Sequence, residues 1–154
     1  MPAAISFLVI SPRLNPWTLL PLALVAAAVA VPYCLSHGFL IPAVLLHRAF
    51  ALVCHQRPDR TFSLFGFPVA VCARCLGIYL GAAIGLLLRT SRSLALRLLF
   101  AAAALNALDA ATELAGLHGN WMPLRFVLGA LLGSAAALLI SSSLTEYRHS
   151  SAAA

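Results

Sequence analysis

The stretch that decides the fold is PVAVCARCLGIYLGAAIGLLL, residues 68–88. It holds a single charged side chain, Arg74, in 21 residues, and about 20 mostly apolar residues suffice for a helix to cross a bilayer. Gly77, Gly81 and Gly85 recur every fourth residue, which leaves a stripe without side chains where a second helix can approach closely. On a helix, Cys72, Cys75 and Tyr79 stand at i, i+3 and i+7 and share a face, whereas Arg74 points elsewhere. The run therefore reads as a spanning helix that packs tightly on a neighbour and carries chemistry near its N-terminal end.

Composition extends this reading to the whole chain. Of 154 residues, 62% are hydrophobic and 9% charged, with a mean hydropathy of +0.98. Soluble domains carry roughly 25% charged residues, so a soluble domain, a disordered chain and a secreted disulfide scaffold are all excluded. All ten basic residues are arginine, against the acids Asp59, Asp109, Glu113 and Glu146.

Three further runs have spanning length: about 17–34, bounded by the interfacial aromatics Trp17 and Tyr33, then 93–117 and 121–143. Residues 39–53 differ, being short, interrupted by Pro42 and carrying His47 and Arg48, which suits an interfacial or re-entrant helix. A motif loop, 54–67, follows. The expected architecture is all-α: one integral membrane domain, a polytopic bundle of four transmembrane helices plus the short helix. Gly129 and Gly133 repeat the four-residue spacing on the last span, so spans two and four are expected to pack on each other, and the same faces would serve a homo-oligomer. Residues Met1 to Asn15 lack a basic n-region and a small-residue cleavage site, so no removed signal peptide is expected.

The arginines divide by membrane face. Arg13, Arg89, Arg92, Arg97 and Arg148 fall on one face, free of acid partners, and Arg48, Arg57, Arg60, Arg74 and Arg125 on the other, among cysteines, histidines and acids. The positive-inside rule then places the first group and both termini in the cytoplasm and the motif outside the plasma membrane.

Two blocks carry the chemistry: Cys54-His55-Gln56-Arg57-Pro58-Asp59-Arg60-Thr61-Phe62, and Cys72-Ala73-Arg74-Cys75 with Gly77-Ile78-Tyr79 and Gly81. Asp109 and Glu113 stand at i and i+4 on one face of span three, towards the end where span two begins. His118 and Asn120 follow in the next turn, and Arg125 opens span four. All of these converge on one membrane face, and ionisable groups inside spans mark a site or a mutually satisfied network.

These blocks resemble a family of small, mostly prokaryotic multi-pass membrane proteins grouped as a domain of unknown function. Its signature is similar to CHQ-x-P-x-R-S/T-F, then C-x-R-C-x-G-I-Y-x-x-G, then an Asp-bearing helix leading to an Asn and an Arg before a glycine-rich span. Cys54, His55, Gln56, Pro58, Arg60, Thr61, Phe62, Cys72, Arg74, Cys75, Gly77, Ile78, Tyr79, Gly81, Asp109, Asn120, Arg125, Gly129 and Gly133 carry the match. Leu76 and Glu113 depart from it, standing where a small polar residue and a Gln are usual. The resemblance implies a membrane protein with a Cys/His site and no assigned activity.

The residues themselves support a transition-metal site with Cys54, His55, Cys72 and Cys75 as ligands. C-x-x-C offers two thiolates to one soft ion, and zinc favours closed sulfur and nitrogen sets. Asp109 or His118 would be substitutes for a fourth ligand, and an iron–sulfur cluster is disfavoured with three clustered cysteines. A second reading is thiol–disulfide exchange at Cys72 and Cys75 with Cys54 as resolving thiol and a quinone as cofactor. A third is a binder or transporter of an anionic or lipid headgroup held by Arg57, Arg60, Arg74 and Arg125. Pairs such as Arg74 with Asp109 or Arg125 with Glu113 also read as structural ion pairs. Tyr79, Glu113, His118 and Asn120 are the remaining supporting residues. Cys34 reads as an apolar filler, and His37, His47 and His149 as interfacial. The dispersed arginines give no nucleic-acid surface, so the expected partner is the lipid bilayer.

Overall fold

The computed structural model describes residues 9–10 and 16–152, with side chains for residues 16–143. Arg13, most of the segment before Pro16 and the side chains of Arg148 and His149 lie outside the described residues, and so do the roles expected of them.

After a 3-10 turn at Pro16–Thr18, α1 runs over Leu19–Ser36 and α2 over Leu40–Phe50. Gly38, at φ +79°, makes the tight turn that folds α2 back along α1. The later helices are α3, Ala73–Leu87; α4, Arg92–Leu114; and α5, Met122–Ala152. Two short antiparallel pairs complete the fold. Val9–Ile10 (β1) pairs with Leu88–Arg89 (β4), and Ser63–Leu64 (β2) with Phe67–Pro68 (β3), the latter through a turn at Phe65 and Gly66 with φ 54° and 81°. Positive φ at both central residues is the two-residue hairpin geometry that matches strand twist.

Among the described residues, Pro16–Ser36, Arg92–Leu114 and Met122–Ser143 are long and apolar enough to cross a bilayer. Only 28%, 22% and 39% of their most apolar windows is buried, so most of that apolar surface faces outward, as it does when the solvent is lipid. Of the four expected spanning helices, three have that length in the structure, with α2 and α3 as shorter apolar helices. The difference arises in residues 68–88. A 15-residue α3 rises about 22 Å, short of the roughly 30 Å of a hydrocarbon core.

The residues ahead of α3 form a non-helical strap that bends at Ala70 and Val71. Pro68 and the β-branched Val69 and Val71 favour extended backbone, and Cys72 is extended at φ −67°, ψ 159° as the residue before the helix. The Ala70 N–H donates to the Ala28 carbonyl at 3.2 Å. That carbonyl is open because Pro32, within α1, has no N–H to return to it. Ala28, Val31, Ala43, Phe50, Cys54, Val69, Ala70 and Val71 pack into one buried cluster, which fixes the strap against α1 and α2.

On the other side of α3 lies α5, running parallel to it. Gly77 meets Phe126 and Ala130, Gly81 meets Ala130, Gly85 meets Ser134 and Ala137, while Gly129 and Gly133 meet Arg74 and Ile78. A Cβ added at any of the five would overlap a backbone carbonyl oxygen of the partner helix. The two stripes therefore face each other inside one chain, as expected for spans two and four. Ser134 donates to the Gly81 carbonyl at 2.9 Å across this contact. α4 returns antiparallel to both, tied to α5 by buried Asn106, whose amide donates to Ala102 and Leu128 carbonyls at 2.9 Å each.

Gly81→Val is expected to cost about 3 kcal/mol or more, because a branched side chain must displace backbone rather than side-chain atoms. Gly119, where an added Cβ meets nothing within 4 Å, is expected to tolerate alanine within about 0.5 kcal/mol. Thermal unfolding of both variants in detergent checks the contrast.

Candidate metal centre

Two stretches that are remote in sequence deliver the three sulfurs, Cys54 from one and the Cys72-Ala73-Arg74-Cys75 run from the other. Cys54 closes the turn after α2, its N–H donating to the Phe50 carbonyl at 2.9 Å, and it is buried at 5% exposure. Cys72 ends the strap, and Cys75 lies in the first turn of α3. Cys72 Sγ is 3.5 Å from Cys54 Sγ and 3.4 Å from Cys75 Sγ, and all three sulfurs fall within 4.8 Å of one another. All three are free thiols. The Cys72 and Gln56 N–H groups point at Cys54 Sγ, at 3.3 and 3.5 Å, so the sulfurs sit among donors and beside the positive end of α3.

A cavity of about 400 Å³ opens beside the sulfurs, walled by Arg57, Arg60, Arg74, Arg125, His55, Cys72 and Cys75. The acids pair with the arginines of this wall without lining the cavity themselves. Asp109, 3% exposed in its side chain, pairs with Arg74. Glu113 takes both Arg60, at 3.0 Å, and the buried Arg125. Asp59 lies 3.3 Å from Arg57 and 3.4 Å from Arg60, and Asn120 donates to its backbone carbonyl. The ion pairs expected at Arg74 with Asp109 and at Arg125 with Glu113 are thus both present.

The remaining sequence-derived site residues divide by position. His55 is exposed and lines the cavity without joining the three-sulfur group. Tyr79 packs with Cys72 and Cys75 against the buried cluster, its ring 6.4 Å from that of Phe50. His118 contacts the Thr112 hydroxyl at 2.8 Å and lies 3.8 Å from the Asp109 carboxylate, so it supports the acid rather than approaching the sulfurs. Arg48, grouped by sequence with this face, is exposed at the end of α2 and does not line the cavity. Cys34 packs against the same buried cluster without joining the three sulfurs.

Two positioning residues went unread in the sequence. Gln56, at φ 48°, donates its amide to the His47 and Ala70 carbonyls at 2.6 and 2.8 Å, bridging α2 to the strap. Buried Thr61 donates to the Arg57 carbonyl at 2.7 Å and shapes the arginine-bearing turn. Their signal was in place, since both belong to the Cys54 to Phe62 block, but neither is a usual metal ligand.

A family model described as predicted membrane protein (DUF2085) matches residues 54–139, more than half of the chain. An uncharacterised protein of Methanocaldococcus jannaschii is 36% identical over 97 residues, covering 58% of this chain and 62% of that protein. An uncharacterised protein of Methanothermobacter thermautotrophicus is 58% identical over 33 residues, 21% of this chain and 30% of its own length. The chain thus spans less than two thirds of these relatives. No solved structure matches it.

Removing one partner of the Arg74 to Asp109 pair strands a charge inside the bundle, which typically costs about 3–5 kcal/mol. Asp109→Ala is expected to lose that much in detergent unfolding, and the double variant Arg74→Met with Asp109→Leu to recover most of it.

Proposed function

The chain belongs to the DUF2085 family of predicted membrane proteins, and from that premise we propose that it is a four-crossing plasma-membrane protein holding one zinc ion on Cys54, Cys72 and Cys75, with His55 as fourth ligand. The observation that carries this reading is the convergence of three free thiols from two separate segments, Cys54 on one and Cys72 with Cys75 on the other. Zinc–sulfur bonds of about 2.3 Å at tetrahedral angles put sulfurs roughly 3.8 Å apart. The spacings of 3.4 and 3.5 Å need to widen by only a few tenths of an ångström. His55 already shares the cavity wall with Cys72 and Cys75.

The strap and α3 together make the second crossing. The strap adds residues 68–72 to the 15 residues of α3 along this crossing. Arg89 and Arg92 gather near Ser141 and Ser142 at the end of the bundle away from the sulfurs, which supports placing that end in the cytoplasm and the metal centre outside.

A second reading, thiol–disulfide exchange, has its own support: Cys72 stands within 3.5 Å of both other sulfurs. Joining Cys72 Sγ to Cys75 Sγ releases two electrons and two protons, which a quinone in the bilayer would accept to become a quinol. An apolar groove of about 550 Å³ between α1, α3 and α5, with Tyr79 in its wall, offers such a carrier a path from lipid.

Elemental analysis of the purified protein is expected to find about one zinc per chain, lost in Cys72→Ser and Cys75→Ser. A metal-free protein with a quantitative Cys72–Cys75 disulfide would sink the zinc reading and select the redox one. For sidedness, a membrane-impermeant thiol reagent applied to metal-stripped intact cells should reach the cysteines. Labelling only after the membrane is opened would reverse the orientation.

A further inference from the structure

The cavity beside the sulfurs has a wall of one sign. Four guanidiniums, those of Arg57, Arg60, Arg74 and Arg125, line it, and no carboxylate does. Asp59, Asp109 and Glu113 pair with these arginines and hold the guanidiniums in place, although none of the three lines the cavity. Four cations against Asp59, Asp109 and Glu113 leave one positive charge over.

Donor capacity is also left over. Arg74 Nε and Arg125 Nε are buried and lack hydrogen-bond partners, and Arg125 is only 3% exposed. A charged donor withdrawn from solvent and left unpaired is costly, so these two arginines carry hydrogen-bonding capacity that the protein itself does not use. Arginine forks match the oxygens of tetrahedral oxyanions in paired hydrogen bonds. The volume, about 400 Å³, lies in the range of small-molecule sites, roughly 300–1,000 Å³. It exceeds what a bare ion needs, so the oxyanion is expected to carry a substituent. The cavity also sits where α4 ends and α5 begins, since Glu113 is in the last turn of α4 and Arg125 in the first turn of α5.

We propose that this arginine-walled cavity binds a phosphate monoester or diester, as a free phosphorylated small molecule or as a phospholipid headgroup. The guanidiniums hold the phosphate oxygens, and the acids paired with them act as positioning residues. The assignment goes beyond the zinc reading and does not depend on it.

The test uses the full-length protein in a neutral detergent, before and after treatment with a chelator. Glycerol 3-phosphate is titrated by calorimetry, and bound phosphatidic acid is counted by native mass spectrometry against a phosphatidylcholine background. Saturable binding of either probe is expected, weakened about tenfold or more in Arg57→Gln, the loss of one charge-assisted contact. Arg92→Gln, at the far end of the bundle, should change it less than twofold. Binding of glycerol 3-phosphate supports a soluble ligand, and binding of phosphatidic acid alone supports a headgroup. No saturable binding of either probe, or equal loss in the two variants, overturns the proposal. So does binding abolished by chelation and untouched by Arg57→Gln, which would put the anion on the metal. Elemental analysis of the same preparation reads the zinc proposal separately, so a metal-free protein that binds either probe overturns that reading and leaves this one standing.

Discussion

Backbone that leaves the helical state at membrane depth must find its hydrogen-bond partners inside the protein, because lipid offers none. The strap before α3 meets this constraint at four of its backbone groups. The Val69 N–H goes to the Phe62 carbonyl, the Ala70 N–H to the Ala28 carbonyl freed by Pro32, and the Ala70 carbonyl accepts from Gln56. The Cys72 N–H goes to Cys54 Sγ. Those bonds fix where α3 begins, and the start of α3 fixes Cys72 and Cys75 against Cys54. The candidate metal centre is thus a consequence of how the chain accommodates a non-helical segment beside α1.

The charges follow a related logic. Arginine keeps its proton on burial where lysine sheds it, so a chain whose ten basic residues are all arginine retains fixed positive charge wherever the fold withdraws it from water. Glu113 and Asp109 restrain three of these charges, and the glycine contact of α3 with α5 brings Arg74 and Arg125 to the same wall. Lipid-facing apolar residues add no net attraction between helices, so close backbone approach and buried hydrogen bonds such as those of Asn106 and Ser134 hold the bundle.

Hydropathy made α1, α4 and α5 legible, and the four-residue glycine spacing identified the two helices that touch. The i, i+4 pair Asp109 and Glu113 put the acids at the correct end. Within residues 68–88 the helix starts only at Ala73, because a non-helical strap of Val and Ala is as apolar as a helix, and periodicity does not separate the two in a short buried run. Its register is decided by Pro32, far away in α1, through an acceptor that no local pattern reveals. Gln56, Thr61 and Asn106 act through single hydrogen bonds to distant carbonyls, which depend on the finished fold. The three cysteines were grouped correctly because few residue types have so specific a use at that spacing. His55 was read as a ligand by adjacency, and the structure places it on the cavity wall.

The central claim is that the three sulfurs form one metal-binding unit, and X-ray absorption at the zinc edge of the purified protein tests it most directly. The account predicts three sulfur neighbours at about 2.3 Å and one lighter neighbour near 2.0–2.1 Å. A zinc shell of oxygen and nitrogen alone, or no zinc edge in a protein whose cysteines are intact and reduced, would contradict it.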